Sequence, residues 1–219
     1  AAAASMPIVI RKSIAKTSFQ TATYFKLCYA PGSMHSLCHF ENFLRIRLTR
    51  WIRMRLVTLS PGDLVAAAYA TIKALPAFMP PCVIWSLFKT WLNGWPTARR
   101  MSQTRTSQCI LGCGAGEDSL EHYAHCRVVW NMAIARLRLP EDCDSPSNFL
   151  MIGTPRDSHY GHLAILQYAT QLTAASFRLH GPLEPQRAAN LLWERFRVLS
   201  LRNPALAASL TALRVAPPP

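Results

Sequence analysis

Residues 109–126 read CILGCGAGEDSLEHYAHC, with Cys109 and Cys113 in a glycine-rich turn and His122 and Cys126 beyond it. Three thiols and an imidazole in this order match the ligand types of a structural zinc site, which takes four protein ligands at tetrahedral corners. A full ligand set leaves no open position for water, so such a site contributes folding energy and no hydrolytic chemistry. Asp118 and Glu121, three positions apart, have capping-box spacing, which predicts a helix running on through Val128, Val129, Met132 and Leu137 to Pro140. On that helix His122 and Cys126 stand at i and i+4 and share a face. His125 is a rival ligand, but it does not share a face with Cys126. The competing reading makes these residues buried cysteines and a core histidine with no metal between them.

Before the cysteine cluster, residues 101–108 are polar and rich in Ser and Thr, as in a loop. Pro80 and Pro81 predict a helix start, and Ile84, Trp85, Leu87, Phe88, Trp91 and Leu92 follow at helical spacing until Gly94. Pro96 then fits the first turn of a short basic helix ending near Met101. Gly62 and Asp63 open an earlier helix that runs to Leu75 and stops at Pro76.

Residues 40–56 are ambiguous. Leu44, Ile46, Leu48, Ile52, Met54 and Leu56 share one face at a period of two, with Arg45, Arg47, Arg53 and Arg55 opposite, as in a strand. The run is long for a strand and rich in good helix formers, so helix is the favoured reading. Arg45, Arg47, Arg50, Arg53 and Arg55, with no acid among them, suit phosphate forks, and Trp51 suits stacking on an unpaired base. A solvated basic face is the plainer account of the same residues. Arg99 and Arg100 would add positive charge beside the knuckle. Cys28, His35, Cys38 and His39 form a weaker second metal candidate, because adjacent Cys and His rarely ligate one ion together.

Beyond the cluster, one helix is expected over about His159 to His180, closed by Gly181, and another from Pro185 to Leu201. Tyr160, Leu163, Leu166, Tyr168 and Leu172, with Leu191, Leu192, Phe196 and Leu199, recur at helical spacing and predict the core. His159 and His162 read as surface or packing residues. The expectation is a mainly α fold of small helical domain(s) around a zinc knuckle with a basic N-terminal arm. Its divisions are residues 1–39 (arm or targeting segment), 40–80 (basic helical), 81–138 (zinc-knuckle module) and 139–219 (C-terminal helical).

With the motifs in place, a resemblance emerges. Residues 91–101, reading WLNGWPTARRM, then the Cys-x3-Cys pair, then Glu121, His122, Tyr123, Cys126 and Trp130, resemble the zinc-binding region that follows the polymerase in non-LTR retrotransposon reverse transcriptases. The likeness covers roughly residues 83–132, with a cysteine pair one residue wider and a histidine one residue nearer the last cysteine than that family has. It implies RNA or DNA binding beside a polymerase, with the later helices packing around the knuckle; of the two nucleic acids RNA is the favoured partner.

Charge points the same way. The chain of 219 residues has a formal net charge of +13 and a pI near 10, which makes polyanions the expected partners. Residues 1–100 hold 13 Lys and Arg against Glu41 and Asp63, whereas residues 101–219 hold 11 against 9 acids. The contact surface is therefore expected in the front half. No paired carboxylates of polymerase type and no nucleophile–base pair stand out, so no catalytic centre is expected. The apolar stretch Leu64–Phe88 is broken by Lys73, Pro76, Pro80 and Pro81, so no membrane span is expected. Seven thinly spread cysteines suit a reducing intracellular compartment, nucleus or mitochondrion, better than a disulfide scaffold. The acid-free start, with Arg11, Lys12, Lys16 and Lys26, has the composition of a transit peptide or of an ordinary basic arm. Two rival readings are a structural subunit of a large ribonucleoprotein or other complex, and a membrane-associated scaffold.

Overall fold

Proline stands in the first turn of four of the described helices, and a capping side chain precedes it in three of them. In the computed structural model, Ser60 caps α2 (Pro61–Ala74), its hydroxyl accepting from Asp63 N while Pro61 fills the first turn. Pro80 and Pro81 open α3 (Pro81–Trp91), and Glu184 caps α8 (Pro185–Leu201) by accepting from Gln186 N and Arg187 N. The other helices are α1 (Met34–Arg53), α4 (Leu120–Tyr123), α5 (Arg127–Leu137), α6 (Pro146–Phe149) and α7 (Tyr160–Phe177), with a 3-10 turn at Glu141–Cys143. The structure describes residues 34–54, 58–75, 79–101, 108–152, 160–202, 204 and 207–208. The arm before residue 34, Cys28, Arg55, His159 and most of the 101–108 loop lie outside them. So do the side chains of His35, Cys38 and His39.

Among the described residues the fold is mainly helical, built beside a cluster of three cysteines and one histidine. The described residues from 43 onward pack as one unit, and those before 43 belong to another. At the centre of the larger unit lies α7, which meets α3, α5, α6 and α8, while α5 also packs on α8. A helix surrounded in this way has no free polar face, and Gln167, Thr170 and Thr173 of α7 are all buried. Their donors are used locally: Gln167 Nε2 donates to Phe149 O at 3.0 Å, and the two threonine hydroxyls donate to carbonyls four residues back. Ser86 Oγ of α3 donates to Gln171 Oε1 of α7 at 2.6 Å, and Trp91 Nε1 to Leu150 O at 2.7 Å. Thr71 of α2 donates to Met151 O and also pairs with the Tyr160 hydroxyl.

The core matches the helical spacing, with one gradation. Tyr160, Leu163, Leu166, Leu192 and Phe196 are buried, whereas Tyr168, Leu172, Leu191 and Leu199 are half-buried at its margin. His162 is a packing residue, its ring stacked on Phe196 with centroids 6.0 Å apart.

The favoured helix is what α1 forms through Arg53: it buries Leu44, Leu48 and Trp51, a four-then-three spacing, and leaves Ile46 70 % exposed, which the period-two alternative would have buried with Leu44 and Leu48. Two expectations are corrected. The short basic helix after Pro96 is a turn over 98–101. The helix expected from Asp118 to Pro140 is two helices, α4 and α5, that meet around Cys126.

Phe196 is fully buried, between the rings of His162 and Trp193, where α8 meets α7. Truncation there leaves a cavity, so Phe196→Ala is expected to cost about 3–5 kcal/mol. Urea unfolding followed by circular dichroism checks this, with a lowered midpoint at an unchanged slope.

Candidate metal centre and the basic surface beside it

The turn that carries the first two cysteines closes on itself. Cys109 N donates to Gly116 O at 2.8 Å and Gly112 N to Cys109 O at 2.9 Å, and Gln108 and Glu117 form an antiparallel bridge behind them. Gly112 sits at φ +70°, where glycine is favoured. A side chain there would also collide with the chain before α8, because a Cβ would lie 1.8 Å from Leu183 O. Leu183 N donates to Ile110 O at 2.8 Å, so the turn is seated on that segment.

The other two ligands come from α4 and its exit. Ser119, not Asp118, is the N-cap: its backbone is extended and its hydroxyl accepts from His122 N at 3.1 Å. After one turn the chain tightens, with His125 N donating to His122 O and Cys126 N to Tyr123 O. Cys126 leaves helical geometry at φ −66°, ψ 117° and caps α5, whose Val129 N donates to Cys126 O at 3.0 Å. The i, i+4 relation of His122 and Cys126 is thus made by two short helices and the bend between them.

The ligand atoms of Cys109, Cys113, His122 and Cys126 all lie within 4.8 Å of one another. Cys109 Sγ and Cys126 Sγ are 3.8 Å apart and fully buried. A cation about 2.3 Å from each of two sulfurs at tetrahedral corners sets those sulfurs about 3.8 Å apart. On the half-buried side, Cys113 Sγ and His122 Nε2 are 3.0 Å apart, as a hydrogen-bonded thiol–imidazole pair. The four residues therefore form a cluster that can hold a metal ion. His125 is exposed and stands outside it. The Cys126 thiol, and then burial, push the Cys109 thiol well above its ordinary range, and burial also raises Cys113. A bound cation reverses that preference by stabilising the thiolates directly.

A layer of fixed groups orients the ligands. Gly116 is the seat of the His122 ring: a Cβ there would come within 2.2 Å of Nδ1. Asp118, buried, accepts from Ala98 N at 2.7 Å and from the Tyr123 hydroxyl at 2.6 Å, fastening the 98–101 turn to α4. Burial, then the Asp118 charge, drive the Tyr123 hydroxyl far above its usual value, so it stays a neutral donor. Trp130 Nε1 donates to Ala124 O at 3.0 Å and holds the bend from the α5 side.

The basic residues divide into two groups. Arg45, Arg47 and Arg53 are exposed on α1. Arg50 is half-buried and forms an ion pair with Glu121, the neighbour of the ligand His122 in α4. Arg99 pairs with Glu117 at 2.8 Å, and Arg100 donates to Gly94 O at 3.4 Å. Trp51 is corrected: its indole is fully buried in the α1 face that packs inward, so it cannot stack on a base. Sequence reasoning also passed over Ser119, Gly112 and Gly116, and read Glu121 as a capping residue without its ion pair to Arg50. Ser119 stands directly before the apolar Leu120, a usable cap signal, but the partners of Gly112, Gly116 and Glu121 are distant in sequence.

No protein-family model, curated protein or solved structure matches the chain.

Gly116→Ala is expected to weaken metal binding about 10- to 100-fold, the range for groups that orient a ligand. Cobalt(II) titration, read from the ligand-field bands, checks this against Gly114→Ala. An alanine Cβ at Gly114 meets nothing within 4 Å, so that variant carries only the strain of its φ of +70° and should stay within about threefold of wild type.

Proposed function

We propose that this chain is a non-catalytic nucleic-acid-binding module held in shape by one structural zinc ion on Cys109, Cys113, His122 and Cys126. The observation that carries the reading is the convergence of three sulfurs and one imidazole nitrogen within 4.8 Å, two of the sulfurs fully buried. Thiolate and imidazole are zinc ligands, and the cluster includes none of the carboxylates that magnesium or calcium prefer. Four protein ligands leave no place for a reacting water, which supports a structural role.

The nucleic-acid part rests on charge and on the resemblance to the region behind the polymerase of non-LTR retrotransposon reverse transcriptases. The net charge is +13, and Arg45, Arg47 and Arg53 are presented on the outside of one helix. Single-stranded RNA is the partner we favour over DNA, beside a polymerase or within a ribonucleoprotein, in the nucleus or the mitochondrion. The second reading, a structural subunit of such an assembly, draws support from the buried Trp51 and from the pairing of Arg50 and Arg99 with Glu121 and Glu117, which leave fewer groups to grip RNA. Among the described residues no helix is long and apolar enough to cross a membrane.

Elemental analysis of the purified chain should find one zinc per molecule. Cys109→Ser and Cys126→Ser should each lose the ion together with much of the helical circular dichroism, because metal binding and folding are coupled. Wild-type affinity for RNA should fall steeply between low and moderate salt, as released counterions require. A folded, zinc-free wild type would overturn the metal reading. A zinc-loaded chain with no salt-sensitive RNA affinity would move the weight to the structural-subunit reading.

A further inference from the structure

We propose that the cleft between α1 and the C-terminal end of α3 takes one unpaired nucleotide of a single-stranded nucleic acid, which rests on the nucleic-acid reading above and gives it a location. The cleft has a volume of about 270 Å³ and is lined by Ile46, Arg47, Arg50, Trp91, Leu92 and Asn93. That falls just below the range of drug-sized ligand pockets, about 300–1,000 Å³, and suits a group the size of a base with its adjoining phosphate.

The lining combines what a nucleotide needs. Ile46 is 70 % exposed on a helix whose neighbours Arg45 and Arg47 are also exposed. The half-buried Leu92 lines the same cleft. A base set between these two side chains would cover apolar surface that now meets water. Two arginines and no acid line the walls, so the site is complementary to phosphate. One nitrogen of Arg50 meets Glu121. A guanidinium carries five N–H donors, so the ion pair can fix the Arg50 fork against the knuckle while another of its edges faces the cleft.

Asn93 ends α3 in the left-handed region at φ 52°. Its amide offers both a donor and an acceptor, the pair that the Watson–Crick edge of a base requires. In a duplex those edges are already paired, so the cleft selects unpaired strands. An acidic or apolar peptide could use the arginines or the isoleucine separately, but the combination with a side-chain amide favours a base.

The test is fluorescence anisotropy with the full chain, using a labelled single-stranded oligouridine of about 12 nucleotides and an RNA duplex of equal length across a salt series. The single strand should bind at least about tenfold more tightly than the duplex. Ile46→Ser and Asn93→Gly should each weaken it about three- to tenfold without changing the salt slope, since neither carries charge. Asn93→Gly keeps the left-handed backbone that glycine adopts freely, so it stays informative if Ile46→Ser folds poorly. Arg47→Ala should weaken binding and reduce the slope by about 0.7, the value for one single-strand phosphate contact. Arg136→Ala, with the same loss of charge beside α8, should change affinity less than about twofold.

If the wild type binds the single strand but Ile46→Ser and Asn93→Gly bind it equally well, the cleft assignment is wrong and the general nucleic-acid reading survives. Equal binding of duplex and single strand also overturns the cleft. A wild type that binds neither removes both readings at once.

Discussion

The approach of two buried sulfurs, Cys109 from a turn and Cys126 from a bend between helices, is the contact on which the arrangement depends. Neither partner is self-supporting. The turn has a few backbone hydrogen bonds and several glycines, and α4 has four residues, far short of the length at which a helix persists alone. What holds them is convergence: once the four ligand atoms meet, the turn, α4 and the first turn of α5 have fixed relative positions. From there the attachments spread outward, through Asp118 to the 98–101 turn, through Cys126 to α5, and through the Ile110–Leu183 hydrogen bond to the segment that starts α8.

That dependence explains what was legible in the sequence and what was not. The helices α2, α3 and α8 announce themselves by a proline at the start, two of them with a capping side chain as well, and α7 by sustained apolar spacing. These are local signals, and the structure follows them to within about three residues. The failures occur where distant contacts overrule local pattern. A continuous helix from Asp118 to Pro140 satisfies capping and periodicity, but the chain bends at residues 124–126, with Trp130 holding the Ala124 carbonyl and Cys126 turned to meet Cys109. Asp118 satisfies the capping-box spacing, yet its carboxylate is engaged by Ala98 N and Tyr123, so the cap passes to Ser119. The four ligand residues could be read from type and order. The closeness of Gly116 to the imidazole and of Gly112 to Leu183 could not, because each depends on a surface supplied by another part of the chain.

The arginines show the same division. Composition alone makes every one of them a candidate for phosphate, and no spacing rule separates a solvated guanidinium from a paired one. In the folded chain, two of those nearest the knuckle answer its own acids, Arg50 with Glu121 and Arg99 with Glu117. The Glu117 pair is open to water and contributes little to stability. The Glu121 side chain is only 11 % exposed, and a carboxylate that dry is costly to leave alone. Arg50 is therefore first a structural partner of Glu121, and only its remaining donors are left for any other contact.

This places α1 in a particular relation to the cysteine–histidine cluster. Glu121 lies between Leu120 and His122 in a helix of a single turn, so whatever positions the imidazole also positions the carboxylate. Arg50 follows the carboxylate, and with it the wall of the cleft that Arg50 shares with Ile46 and Asn93. On the other side, Leu44, Leu48 and Trp51 of α1 are fully buried, which fixes its rotation about its own axis and turns Arg45, Arg47 and Arg53 outward. One half-buried ion pair and one apolar stripe thus determine which face of the basic helix solvent meets. A chain whose cluster fails to close would retain every arginine and lose their arrangement, so net charge by itself is a poor guide to the basic surface this fold presents.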